Sequence, residues 1–105
     1  MKIEKVSLSE LVNYQAGSVV SKSLLAKKTG NITLFAFDKG EGLSEHTAPF
    51  DAFVYILDGK AKITISAEEY MLKSGEIIIM PANEPHALHA VDAFKLLLIM
   101  IKSEH

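Results

Sequence analysis

The sequence predicts an all-β fold, an antiparallel β-barrel or double-sheet jelly roll with a short N-terminal helix. Three observations carry that expectation. Beyond Gly17 the apolar residues come in runs of strand length, broken by turn signals at intervals of roughly eight to twelve residues. No helical period follows Gly17. Where a run is half polar it alternates, as in Ala61, Ile63 and Ile65 against Lys60, Lys62 and Thr64, which is a strand with one wet face.

Taken in order, Leu8 to Tyr14 reads as the helix, with Ser7 or Ser9 as N-cap and Glu10 in its first turn. Val19–Ala26 and Asn31–Phe37 read as strands joined by the turn Lys27-Lys28-Thr29-Gly30. Phe53–Leu57 runs into Asp58-Gly59, the strongest hairpin signal in the chain. Lys60–Ile65 and Glu68–Leu72 follow, then the turn Lys73-Ser74-Gly75. Glu76–Met80 reads as a buried strand and Pro81 to Pro85 as a proline-bracketed loop, before His86–Val91 and Phe94–Lys102. The chain reads as one domain, with residues 1–29 packing on a barrel formed by 30–105.

Composition narrows the function classes. Hydrophobic residues make up 49% and charged residues 23%, the balance of a globular protein with a core. A net charge of -2 provides no basic stripe for phosphates, so nucleic acid is not an expected partner. With no cysteine, disulfides and thiolate metal sites are excluded. The N-terminus has early glutamates and no continuous apolar stretch, unlike a secretory signal. The runs Ile77–Met80 and Leu96–Ile101 are too short to span a bilayer as helices. The expectation is a cytoplasmic protein without membrane contact. Phe94–Ile101 is apolar on both faces except at Lys95. One face can fill the interior, and the other must meet the N-terminal segment or another subunit, so a homodimer is expected.

His46 and His86 are the candidate functional residues. Strand side chains alternate faces, so His46, Ala48, Ala52, Val54 and Ile56 share one face, as do His86, Leu88 and Ala90. Both sets are expected to line one interior. His89, Glu45, Asp51, Phe53 and Tyr55 then point away from it, and Glu84 lies on the loop before His86. Met80, Met100, Phe50 and Phe94 are assigned to core packing.

The segments around the two histidines have a definite spacing. The first runs Gly40-x5-His46-x-Ala48-x3-Ala52-x6-Gly59, and the second Gly75-x5-Pro81-x-Asn83-x2-His86-x3-Ala90. They resemble the paired motifs of the cupin superfamily, Gly-x5-His-x-His-x3 or x4-Glu-x6-Gly and Gly-x5-Pro-x-Gly-x2-His-x3-Asn. Gly40, His46, Gly59, Gly75, Pro81 and His86 fall at matching positions. The resemblance covers roughly residues 30 to 101. Asn83 stands where the family has glycine, and asparagine tolerates the left-handed backbone such a turn requires.

The resemblance implies a metal held by three histidines and a glutamate. Ala48 and Ala52 occupy the positions of the second histidine and the glutamate, and a methyl group offers no lone pair. The expected function is therefore binding of a small organic ligand by His46, Ala48, Ala52, Val54, His86 and Leu88, with no tightly held metal as cofactor. The rival expectation is a metal-dependent enzyme of dioxygenase, isomerase or decarboxylase type. In it His46 and His86 would be the surviving ligands of a divalent Zn, Fe, Mn or Ni ion. Metal-independent relatives imply a third chemistry, proton transfer, with His86 as general base. A regulatory partner-binding role, suggested by the two-faced C-terminal strand, is the remaining alternative.

Overall fold

The computed structural model describes residues 3–103. Nine antiparallel strands fill most of that span: β1 (Val19–Lys27), β2 (Gly30–Phe37), β3 (Gly42–His46), β4 (Phe50–Asp58), β5 (Lys60–Ile65), β6 (Glu68–Lys73), β7 (Ile77–Met80), β8 (His86–Ala90) and β9 (Phe94–Lys102). They form a five-stranded sheet ordered β1-β2-β9-β4-β7 and a four-stranded sheet ordered β3-β8-β5-β6. The expected all-β, double-sheet fold is present as two separate sheets packed face to face rather than as a closed barrel.

Period-2 burial explains why these segments are strands. Along β4 the even residues Ala52, Val54 and Ile56 are buried, while Phe53, Tyr55 and Leu57 are half-buried. Ala61 and Ile63 of β5 belong to the opposite sheet, while Leu96 of β9 is the in-sheet neighbour of Ile56, and all share one core. Phe37 and Phe94 pair across β2 and β9 and stack with ring centroids 4.5 Å apart and planes 6° from parallel. Each fully buried aliphatic or aromatic side chain contributes about 1.5–3 kcal/mol, so this inter-sheet layer dominates stability.

The N-terminal segment covers part of the outer face of the larger sheet, over Leu34 and Ala36. Leu34 and Ala36 point away from the main core, yet are buried beside Val12, with Leu8, Leu11, Val20, Leu57 and Leu97 around them. The segment is pinned by Tyr14, whose hydroxyl donates to Asp58 Oδ2 at 2.6 Å. Lys95 Nζ donates to the Ser9 carbonyl at 2.8 Å and stands 5.1 Å from the centre of the Tyr14 ring.

Four sequence expectations are corrected. The helix over Leu8 to Tyr14 is a single 3-10 turn, Leu8–Glu10, and Ser7 at its N-cap makes no side-chain capping bond. Docking of Leu8, Leu11 and Val12 takes the place of further helical turns. Asp58-Gly59 does not make a hairpin: β4 and β5 lie in different sheets, and the pair is the corner between them. Gly59 has φ +83, and a Cβ there would collide with the Ala93 carbonyl oxygen and lie 2.7 Å from Phe94 Cα. Close approach of the chain leading into β9, not strand pairing, requires the glycine. Glu76–Met80 is not a buried strand, because β7 is a sheet edge on which Ile77 and Ile79 are 52% and 58% exposed. Finally, β3 is a strand that the turn signals around it concealed. Among the described residues no helix is long and apolar enough to cross a membrane.

Candidate functional site

The two histidine segments meet because their strands pair. β3 and β8 are neighbours, and His46 is directly opposite His86. Two further bonds couple the adjoining loops. Asn83 N–H donates to the Ala48 carbonyl at 2.8 Å, and Ala82 N–H donates to Asp51 Oδ1 at 2.9 Å. Asn83 has φ +67, the left-handed conformation its place in the motif requires.

A cavity of about 280 Å3 opens between the sheets at this point. His46, Ala48, Ala52, Val54, His86 and Leu88, the six residues singled out from the sequence, all line it. Ile56 and Ala90 share their parity but are buried elsewhere in the core. His89 and Glu45 are exposed on the outside, and Phe53 and Tyr55 are absent from the wall.

Strand parity missed more than half of the wall. Phe35 and Phe37 of β2, Leu96, Leu98 and Met100 of β9, and Phe50, Met80 and Leu43 complete it. Phe50, Met80 and Met100, assigned to packing from the sequence, thus face the cavity. Leu43 was hidden by a β-bulge: the β3–β8 register shifts between Leu43 and His46. Ser44 and Glu45 therefore lie against the single Ala87, and both Leu43 and His46 face inward. The β2 and β9 residues carried no local signal, since their place in the wall depends on which sheet pairs with which.

Within this apolar wall the histidines are the only side chains with titratable or strongly polar atoms. His86 is 7% exposed, the one buried polar side chain among the described residues, while His46 is exposed at the rim. Their Nε2 atoms are 3.0 Å apart, and the rings meet edge to face at 68° with centroids 4.2 Å apart. His46 Nδ1 is 2.8 Å from the Ser44 carbonyl and His86 Nδ1 is 3.0 Å from the Glu84 carbonyl. A carbonyl oxygen only accepts, so each Nδ1 carries a proton and donates. That leaves the two Nε2 atoms as the reactive ends of the pair. Beside them, the Ser66 hydroxyl donates to Glu84 Oε2 at 2.5 Å and Ser66 N–H to the Pro85 carbonyl at 2.8 Å, holding the β5–β6 turn against the loop before His86.

The donor set does not fit a resident transition metal. Catalytic sites for such ions supply three protein ligands as a rule, whereas this cavity has two imidazoles. Ala48 and Ala52, at the positions where further ligands are expected, present methyl groups to it. No group of three or more histidine, cysteine, aspartate or glutamate side chains able to hold a metal ion occurs among the described residues.

Comparison with known proteins follows the same lines. No curated protein matches the chain. The structure is similar to a conserved protein of unknown function from Streptococcus pyogenes, with TM-score 0.93 and 39% identity over 100% of this chain and 92% of that one. A cupin superfamily protein from Desulfitobacterium hafniense is similar at TM-score 0.91 and 28% identity, over 98% of this chain and 94% of the other. A cupin 2 conserved barrel domain protein from Leptotrichia buccalis shares 44% identity at TM-score 0.87, over 90% of this chain but 46% of its own length. The cupin domain family model matches residues 33–102, a span that runs from β2 to the end of β9 and holds both histidine segments. Sequence frame, sheet order and family match agree, and the chain belongs to the cupin family.

Proposed function

We propose that this chain is a small-molecule binding module, whose cavity takes a compact, mostly apolar ligand with one polar head and holds no resident metal. The observation that carries this reading is the apposition of the His46 and His86 Nε2 atoms, 3.0 Å apart, at the polar end of an otherwise apolar cavity. Such a site has the usual make-up of a ligand pocket, an apolar wall with few converging polar groups. At about 280 Å3 it has the volume of roughly nine liquid waters, enough for a single-ring aromatic molecule.

The test is a thermal-shift and calorimetric series with benzoate, benzamide and toluene on the wild type, His46→Ala and His86→Ala. Saturable one-to-one uptake by the wild type, weakened by either substitution for the polar probes, is the expected result. Absence of uptake of all three probes, or equal binding by all three proteins, overturns the reading. The rival metal-dependent enzyme would need donors that Ala48 and Ala52 do not possess. A stoichiometric transition metal in untagged purified protein would restore it, and with it His86 as a candidate catalytic group.

We infer also that the chain pairs with a second copy of itself through the outer face of the larger sheet. There Ile32, Ile99, Phe53 and Ile79 stand in one cross-strand row, and Leu97, Tyr55 and Ile77 in the next. Neither row contains a charge. A two-fold interface needs only a self-complementary patch, and an uncharged apolar one meets no repulsion from its own copy.

A further inference from the structure

The inner face of the larger sheet does not stop at the cavity. The short corner 38–41 folds β3, the edge of the smaller sheet, back over β2. β1 lies one strand further out, beyond that edge, and its inward-directed Ser21 and Ser23 are exposed. Phe35, inward on β2, is half-buried.

Cross-strand pairing carries the cavity wall outward in rows. Leu98 of the wall is opposite Thr33, and Thr33 is opposite Ser23. Met100 is opposite Asn31, and Phe35 is opposite Ser21. Directly opposed residues of an antiparallel pair share a face. Ser21, Ser23, Asn31 and Thr33 therefore form a shelf of hydroxyls and one amide, continuous with the apolar wall. Neighbouring strands are about 4.8 Å apart, so Thr33 stands one such step beyond Leu98 and Ser23 two.

Two features separate this shelf from an ordinary solvated edge. The first is charge. Lysine on an edge strand guards against unwanted pairing, yet Lys22 and Lys27 are both on the outer face of β1, opposite Leu34 and Gly30. Among the described residues the inner side of β1 and β2 carries no charge. The second is a β-bulge, where the β1–β2 register shifts between Ser23 and Leu25. Simple alternation would bring Leu25 inward after Ser21 and Ser23. The bulge turns it to the outer face, opposite Ile32, and gives its place to Ala26, opposite Asn31. On the shelf the Thr33 hydroxyl donates to Asn31 Oδ1 at 3.4 Å, a long bond that a ligand hydroxyl can displace.

We propose that the ligand is an uncharged amphiphile, whose ring lies in the cavity and whose hydroxyl-bearing arm lies along the shelf, hydrogen-bonded to Thr33, Asn31 and Ser23. The proposal rests on the binding reading above and adds to it a second, polar subsite away from the two histidines. Hydroxyls and a primary amide both donate and accept, which matches neutral hydroxyl groups and needs no counter-charge. Binding forms and breaks no covalent bond.

The test titrates two probes of equal chain length, 3-phenoxypropane-1,2-diol and phenyl propyl ether, into the full chain by calorimetry. An apolar cavity alone prefers the ether, because the hydroxyls of the diol would lose water without replacement. With the shelf, the diol should bind about tenfold more tightly, the scale of one to two net hydrogen bonds. Thr33→Val keeps the branched shape without the hydroxyl, and Ser23→Ala removes an exposed one. Each should weaken the diol by about threefold or more and leave ether binding unchanged, which also shows that both variants fold. Amide resonances of Ser21, Ser23 and Asn31 should move with the diol and not with the ether. A diol bound no more tightly than the ether, or a preference that survives both substitutions, would overturn the shelf and leave the cavity reading intact. Failure of both probes to bind would overturn the two together.

Discussion

Ala48 and Asn83 are joined by a 2.8 Å backbone hydrogen bond, from the Asn83 N–H to the Ala48 carbonyl, although they lie in loops at the ends of different strands. With the Ala82–Asp51 bond it fastens the chain beyond His46 to the chain before His86. Asn83 makes the bond from the left-handed region, at φ +67. Asn83→Gly should be tolerated, whereas Asn83→Val should lose about 1–2 kcal/mol, the cost of that conformation for an ordinary side chain, with more from β-branching. Urea denaturation monitored by circular dichroism checks the ranking. Equal midpoints for the two variants would show that the turn is not held in this conformation.

The β5–β6 turn stores strain of the same kind in a less suitable sequence. Ser66 and Ala67 have φ 48° and 71°, both positive as in the twisted two-residue hairpins that favour Asn-Gly. Ala67→Gly should therefore stabilise the fold by up to about 1 kcal/mol, since glycine occupies this region without a Cβ penalty. Ser66 is different, because its hydroxyl holds Glu84. Ser66→Gly should gain from the backbone and lose from the missing bond, leaving a smaller change than Ala67→Gly in the same melt.

Tyr14 ties the N-terminal segment to alkaline stability. Desolvation first, then its hydrogen bond to the Asp58 carboxylate and that group's negative charge, pushes the phenol well above its ordinary value of 10.0. The folded state thus keeps a proton that the unfolded chain releases. This contribution is complete below pH 10 and falls as pH rises above that value. Thermal unfolding followed from pH 8.5 to 11 should decline more steeply for wild type than for Tyr14→Phe. Parallel curves would mean that the segment does not hold Tyr14 against Asp58.

The outer apolar face should report itself through assembly. Ile79 is 58% exposed on the edge strand β7 and pairs with Phe53 at the end of the apolar row. Sedimentation should give a dimer at micromolar concentration for the wild type. Ile79→Lys should shift it toward monomer, because a charge in a desolvated interface is unfavourable, while changing the unfolding midpoint little. A wild type that sediments as a monomer throughout that range removes the self-association proposal.

Much of the site was legible because a strand's side-chain period is local. Parity alone brought His46, Ala52, Val54, His86 and Leu88 to one surface, and the spacing of Gly40, His46, Gly59, Gly75, Pro81 and His86 pointed to the family. The same local logic failed wherever chain geometry depended on distant partners. A two-against-one bulge opposite β8 turned Leu43 inward, and Asp58-Gly59, a hairpin signal by composition, became a corner between sheets.

The amino-acid sequence by itself determined the strand content, the inward face of each histidine segment and the two methyl groups where ligands would otherwise stand. Tertiary structure alone decided that Phe35, Leu98 and Met100 wall the cavity, that Ile77 and Ile79 lie at an open edge, and that two Nε2 atoms approach to 3.0 Å. The division follows from the physics of sheets. Which face a residue takes is set by its immediate neighbours, whereas register, sheet membership and contact across the sandwich are set by strands dozens of residues away.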